Sequence, residues 1–424
     1  MCRASQVVMR DPLTWETVDV TRLVQWLLVM TAGGAIATPL TLEHVVERAG
    51  TSAPEVVLAA QVLQQAEASR VGTGVFLPTN PRLFVDYRRL ASPPPQDPMN
   101  GYNLGLDGTL EVSGAGFLRL EEAERRVGLA RSELVAVQTE ARMNAWVAFV
   151  EAQVARERVA MFEQALEVAT RVEAATRERL KNGVSGEPDV AAAQVELAAV
   201  RHELEDAHRL RHLAHARLRH VLDLDPDTVL ELDAALKEPT DPGPEDELLR
   251  RALERRPELA TVRARLSLLE STDARLFREA FPKLTWVMGF DAAPASPVFG
   301  FAGLGVELPI GQRNQGPRAI ARAQVETERT RLENELRRVR REVATSRRAY
   351  AVRMRQLATL TRDALPAANR NEDLVEEGWK AGRFDIFRLT AATRELNRVR
   401  RQQLETLLAA WTDYVELQRA SGGL

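Results

Sequence analysis

The sequence predicts a mainly α-helical chain with a small β part, built as a tandem repeat in which each half carries one very long coiled-coil helix and two short strands. Three observations lead there. Short matches recur about 200 residues on, two stretches of roughly 66 residues keep coiled-coil spacing, and four segments alternate apolar with polar residues.

The repeat orders everything else. Lys181-Asn182-Gly183, followed by Ala192-Ala193 and Glu196-Leu197, returns as Lys380-Ala381-Gly382 with Ala391-Ala392 and Glu395-Leu396, an offset of 199 without a gap. Ala53-Pro54-Glu55-Val56 returns as Arg256-Pro257-Glu258-Leu259, Pro81-Arg82-Leu83 as Pro282-Lys283-Leu284, and Leu104-Gly105-Leu106 as Leu304-Gly305-Val306. Four matches in one order divide the chain into an N-terminal extension with a secretory segment (1–37), a first repeat (38–222), a linker (223–247) and a second repeat (248–424). Each repeat reads as helix, two strands, long helix, tight turn and returning helix.

The long helices are expected over about 116–181 and about 316–381, each spanning roughly 100 Å at 1.5 Å per residue. Their return helices follow at about 187–222 and about 385–420. No globular core requires a helix of that length. In the second, Leu332, Leu336, Val339, Val343, Ser346, Tyr350, Met354 and Leu357 recur at spacings of four and three. In the first, Val127, Ala130, Leu134, Val137, Ala141 and Ala148 do so, with Asn144 as the polar exception. That period belongs to coiled-coil packing. Pro366 should kink the second helix.

Strands are expected at about 82–90, 103–113, 283–291 and 299–309. Leu104, Leu106, Gly108, Leu110 and Val112 share one face, against Asn103, Asp107, Thr109, Glu111 and Ser113. Leu284, Trp286, Met288 and Phe290 oppose Thr285, Gly289 and Asp291. Strands wet on one side give this pattern, and so do strands of a membrane barrel, for which about ten tilted residues suffice to cross. A soluble four-stranded sheet capping a helical bundle would alternate in the same way. If the strands cross a bilayer, every edge must be paired. Three copies then give a trimeric 12-stranded β-barrel with a coiled-coil tube beneath it. Tyr87, Tyr102, Trp286, Phe290 and Phe299 would supply an interfacial aromatic belt.

Composition narrows the class further. A net charge of −3 with 28% charged residues gives no reason to expect nucleic acid as a partner. The one cysteine, Cys2, precedes any cleavage site and follows no signal, so neither a disulfide nor lipid attachment is expected. No run of some 20 apolar residues is present to form a membrane-spanning helix. Arg22, the apolar stretch Leu23 to Met30 and the small-x-small site Ala35-Ile36-Ala37 read as a secretory signal cleaved after Ala37. Its polar preamble is too long and Gln25 and Trp26 interrupt it, which places the true start nearer Val18 or Val20. Nucleophile elbow, phosphate loop, dinucleotide fingerprint, thiol pair and HExxH are all missing, so no enzyme activity and no cofactor are expected.

This order of elements resembles the TolC-like outer membrane efflux proteins (outer membrane factors), and within them the CzcC-like members of heavy-metal RND efflux systems. The resemblance runs from Leu40-Thr41-Leu42-Glu43 to about Ser421. It rests on the strand-to-helix junction Glu307-Leu308-Pro309-Ile310-Gly311-Gln312-Arg313-Asn314-Gln315-Gly316 and on the paired turns Asn182-Gly183-Val184-Ser185 and Ala381-Gly382-Arg383-Phe384-Asp385. It implies a homotrimer in the outer membrane lipid, extending into the periplasm. Such a duct passively exports heavy-metal cations or drugs delivered by an inner-membrane RND-type pump and a periplasmic adaptor. A soluble periplasmic coiled-coil scaffold or adaptor is the competing reading. The family's acidic ring at the second tip falls here on Arg388 and Ala391, with Asp385 and Asp189 the nearest carboxylates.

Three groups of site residues follow. Gly183, Val184, Ser185, Gly382, Arg383 and Phe384 form the tips expected to dock the adaptor, where glycine lets the chain reverse. Asp107, Glu111 and Glu307 would stand in luminal charge rings. His208, His212 and His215, at i, i+4 and i+7 beside Glu205, have the spacing of a divalent metal site.

Overall fold

The computed structural model describes residues 40–73, 79–90, 99–233, 236–292 and 297–423. The secretory segment expected at 1–37 and most of both hairpin loops lie outside the described residues.

The first repeat contains α1 (Leu42–Ser52), α2 (Pro54–Ala68), β1 (Arg82–Leu90), β2 (Met99–Leu110), α3 (Ala115–Lys181) and α4 (Glu187–Val221). The second contains α5 (Glu245–Arg255), α6 (Pro257–Glu279), β3 (Lys283–Ala292), β4 (Phe299–Glu307), α7 (Gln315–Thr359), a π-helical turn (Leu360–Ala364), α8 (Leu365–Lys380) and α9 (Ile386–Ser421). Pro54 and Pro257 each occupy a first helical position, where the missing N–H costs nothing.

Helix α3 holds 67 residues, about 100 Å of continuous helix. Its seam is made of small side chains: Ala141, Ala145, Ala148 and Ala152 are fully buried, which lets α1 and α4 approach closely. The matching seam of α7 buries Val339, Val343, Tyr350 and Leu357, with Leu332, Leu336 and Met354 partly covered. The second long helix, expected over about 316–381 with a kink at Pro366, is interrupted just ahead of that residue. Pro366 lacks an N–H and crowds the preceding turn, and the chain answers with the π-helical turn immediately before it.

The linker straps the middle of the bundle. Leu40 bridges Leu232, the Tyr350 hydroxyl donates to the carbonyls of Pro239 (3.3 Å) and Thr240 (2.8 Å), and Trp411 Nε1 donates to Lys237 O at 2.9 Å. Burial pushes the Tyr350 phenol up to about 12.

The four strands form one antiparallel sheet in the order β1-β2-β3-β4, so β2 and β3 join the two repeats and β1 and β4 are its edges. β2 begins earlier than expected, because its pairing with β1 continues to Leu90–Met99, and ends at Leu110 rather than near Ser113. Gly114, at φ +77°, turns the chain there into α3. The sheet stands at one end of the bundle. The turns joining α3 to α4 and α8 to α9 stand at the other, a helix length away.

Candidate functional site

Cross-strand register sorts the sheet's side chains into two faces. Leu83, Val85 and Tyr87 oppose Leu106, Leu104 and Tyr102; these in turn oppose Met288, Phe290 and Ala292. Trp286 and Leu304 complete the same face. Its side chains are turned outward: Leu304 is 76% exposed, Val85 66% and Phe290 61%. Water does not tolerate so broad an apolar surface; hydrocarbon does. Tyr87 and Tyr102 lie toward the hairpin loops, their rings 5.4 Å apart, while Trp286 lies toward the helices. Six residues along β2 separate the two levels, about 20 Å of strand. Phe299 does not join this belt. It pairs with Asp291 and so shares the polar face.

The opposite face is charged and wet. Arg82 donates to Asp107 at 2.9 Å and Arg88 pairs with Asp291. Phe84, Gly105, Gly289 and Phe301 form one row across all four strands. The two rings lie over the two glycines: an added Cβ at Gly105 would meet the Phe84 ring at 2.5 Å, and one at Gly289 the Phe301 ring at 2.8 Å. The glycines let the rings lie flat along the wall. Sequence reading missed this row, although aromatic residues on the strands flanking the paired glycines were its signal.

Of the three carboxylates expected to line a lumen, Asp107 lies on the charged face of the sheet, tied to Arg82, and Glu307 is exposed opposite Lys283. Glu111 is a correction. β2 has ended at Leu110, alternation no longer sets its direction, and its nearly buried side chain receives Arg119 Nη1 at 3.0 Å. Arg119 also reaches Glu279, which receives Arg275 at 2.8 Å, and Arg275 continues to Glu122. This chain of ion pairs fastens the sheet to α3 and α6. The Glu111 carboxylate holds the Arg119 guanidinium above its ordinary range.

At the far end the two turns are built alike. Gly183 and Gly382 both have φ +72°, a conformation only glycine adopts freely. The N–H of Val184 reaches Arg179 O at 2.9 Å and that of Arg383 reaches Gly378 O at 2.8 Å. Asp189 Oδ2 accepts from the Ser185 hydroxyl at 2.6 Å and from Gly186 N at 3.0 Å, which holds its carboxyl below the usual range. Ser185 is thus engaged in capping α4, as Asp385 caps α9 through Arg388 N at 2.8 Å.

Val184, 74% exposed, and Arg383 point away from the bundle. Phe384 does not: its ring is half-buried over Gly378 and packs with Val375, Trp379, Ile386 and Leu389. Arg388 covers the outer side of that ring at 4.2 Å. Arg179 ties the tips together, stacking on Trp379 at 4.3 Å and donating to the carbonyls of Trp379 (2.8 Å) and Lys380 (3.1 Å). Arg179, Gly378 and Trp379 were not anticipated. Their signal was a break in the repeat, since Gly378 stands 199 residues after Arg179.

The three histidines do not assemble a metal site. Among the described residues no group of three His, Cys, Asp or Glu side chains is placed to hold an ion. His212 is exposed, whereas His215 is half-buried with an unpartnered Nε2. Burial, then Arg219, Arg211 and His212, depress its basicity. The same arginines would repel a cation.

One sheet with an apolar face and a charged face, carried on a helix of 67 residues, is what one subunit of a membrane-embedded duct requires. Residues 85–223 match the family described as outer membrane efflux protein. Over 388 residues, 91% of each chain, the sequence is 26% identical to the cobalt-zinc-cadmium resistance protein CzcC of Cupriavidus metallidurans. Similar folds are seen in the outer-membrane channel OprN (TM-score 0.76, 20% identity, 90% of each chain) and the CmeC outer membrane channel of Campylobacter jejuni (0.75, 14%, 90% of this chain and 85% of that one). CusC is another (0.73, 17%, 92% and 93%). Over 90% or more of its length the chain is thus similar to efflux channels of the outer membrane and shares their fold, and residues 85–223 match the outer membrane efflux protein family.

Proposed function

We propose that three copies close their sheets into a twelve-stranded barrel and serve as the exit duct of a tripartite system, fed by an inner-membrane pump through a periplasmic adaptor. One observation carries this reading: the sheet is apolar on its outward face and has unpaired strands at both edges. An unpaired edge in hydrocarbon leaves each N–H and C=O unsatisfied, so the strands can cross only when other copies pair them. The outward face argues against a soluble scaffold. Purified protein reconstituted in planar bilayers should show discrete conductance steps, and a confirmed trimer that stays silent would count against the duct.

The adaptor docks on the exposed tip, at Val184 and Arg383 on the turns set by Gly183 and Gly382, with Ser185 holding the first turn's cap. Arg383→Asp and Gly183→Pro are expected to reduce efflux while leaving trimer insertion intact, the first by reversing charge and the second by removing φ +72°. Unchanged pump-dependent resistance in both variants would remove the tip from the docking surface.

The cargo is divalent metal cations, by similarity to the cobalt-zinc-cadmium resistance protein. Deleting the gene in its host should lower tolerance to cobalt, zinc or cadmium; unaltered tolerance to all three would overturn the assignment.

A further inference from the structure

The repeat places the missing neighbour of each sheet edge residue by residue. β1–β2 and β3–β4 pair in the same register: Arg82 faces Asp107, and Lys283 faces Glu307. β3 therefore repeats β1 at an offset of 201, and β4 repeats β2 at 200. The helices keep the same correspondence. The ion pair Glu67–Arg131 between α2 and α3 returns as Glu270–Arg329 between α6 and α7. Arg70–Glu124 returns with its charges exchanged as Asp273–Arg322.

Among the described residues one kind of contact occurs only once. β2 lies beside β3, and α3 lies beside α6. The equivalent contacts, β4 beside β1 and α7 beside α2, have no in-chain realisation, because β1 and β4 are opposite edges of the sheet. Each of the helix surfaces left over carries an exposed apolar side chain. Leu58 on α2 and Ile320 on α7 are each 62% exposed. Ile320 takes the place that Glu122, ion-paired to α6, holds in α3, at the offset of 198 set by the two ion pairs above.

We infer that the subunit seam reproduces the β2–β3 register, an inference that rests on the trimeric duct proposed above. The pair Leu106–Met288 then moves to Val306 against Tyr87 of the partner subunit. Leu104–Phe290 moves to Leu304 against Arg89 of the partner subunit, and Asp107–Val287 to Glu307 against Asp86 of the partner subunit. Parity is preserved: the first two pairs lie on the apolar face and the third on the charged one.

The third pair sets the seam apart from the rest of the wall. Within one chain, the cross-strand ion pairs Arg82–Asp107 and Arg88–Asp291 join opposite charges. At the seam two carboxylates stand opposite each other, which is unfavourable. This luminal pair exists only in the assembled duct, because each subunit supplies one member.

Cysteine pairs test the register. In a Cys2→Ser background, which removes the chain's one native thiol, Tyr87→Cys with Val306→Cys and Arg89→Cys with Leu304→Cys should oxidise to covalent trimers in isolated outer membranes. Paired positions hold their Cβ atoms about 4.5–5.5 Å apart, whereas diagonal positions stand about 7–8 Å apart, too far for a disulfide without backbone movement. Tyr87→Cys with Leu304→Cys and Arg89→Cys with Val306→Cys, each two residues out of register, should therefore yield little product. Preferential cross-linking of these two controls would overturn the register. No cross-link from any pair in a conducting trimer would overturn the seam while sparing the duct. A chain that is monomeric in membranes would remove the duct and the seam with it. As a second measurement, Asp86→Asn should raise the temperature at which the detergent-resistant trimer dissociates; an unchanged or lower value would overturn the carboxylate juxtaposition.

Discussion

Gly289→Val is expected to abolish the assembled barrel while leaving the helical bundle folded. A Cβ at this position would lie 2.5 Å from Leu104 O, 2.8 Å from Gly105 Cα and 2.8 Å from the Phe301 ring. Two of these contacts are backbone of the neighbouring strand, held by the β2–β3 pairing that joins the repeats. A flexible side chain could swing away; a paired strand cannot. Overpacking of this kind costs about 1–3 kcal/mol per site, and in the proposed trimer every subunit would incur it. Gly300 is the matched control, since its added Cβ would come no closer than 3.7 Å to Phe290. Gly300→Ala should therefore assemble normally. Heat-modifiable trimer on gels reads barrel closure, and far-ultraviolet circular dichroism reads the helices. A Gly289→Val protein with wild-type trimer yield would show that the row of rings and glycines does not limit the wall.

The sequence was most legible where one period governs a long stretch. Helix α3, expected from about residue 116 on its coiled-coil spacing, begins at Ala115, and the repeat carried the same order of elements into the second half. Strand alternation put Leu104 and Phe290 on the apolar face of their strands, and the register pairs them there, since a sheet wet on one side imposes period two on every residue. Legibility failed where the period stops. Glu111 lies one residue beyond the last strand pair, so its direction is set by Arg119 rather than by alternation. His208, His212 and His215 have metal-ligand spacing, but spacing says nothing of burial, and His215 is tucked into packing beside arginines. Phe384 looked like an exposed docking residue because its seat is a glycine in the preceding helix, and a missing side chain leaves no pattern. The bulk fold follows from repetition, and the individual site residues depend on departures from it.

Gly378→Arg exploits one such departure and is expected to open the tip. The position equivalent to Gly378 in the first repeat is Arg179, and that equivalent to Phe384 is Ser185, both 199 residues earlier. Each tip is therefore self-consistent: a long side chain with a small one in the first, no side chain with a large ring in the second. A Cβ at Gly378 would meet Phe384 Cδ2 at 2.3 Å, so any side chain there expels the ring. Exposing a phenylalanine gives up about 1.5–3 kcal/mol, and losing the Arg388 stack about 0.5–1 kcal/mol more. Freed of that packing, the turn should admit trypsin at Arg383, which is already exposed, much faster than in the parent protein. Adding Phe384→Ser restores the residue types of the first tip and removes the clash, so the double variant should resist cleavage better than Gly378→Arg alone. Neighbouring substitutions that share one contact are non-additive in this way. If the second change instead adds to the damage of the first, the ring and the glycine are not partners, and the tip is held by the Arg179–Trp379 contact alone.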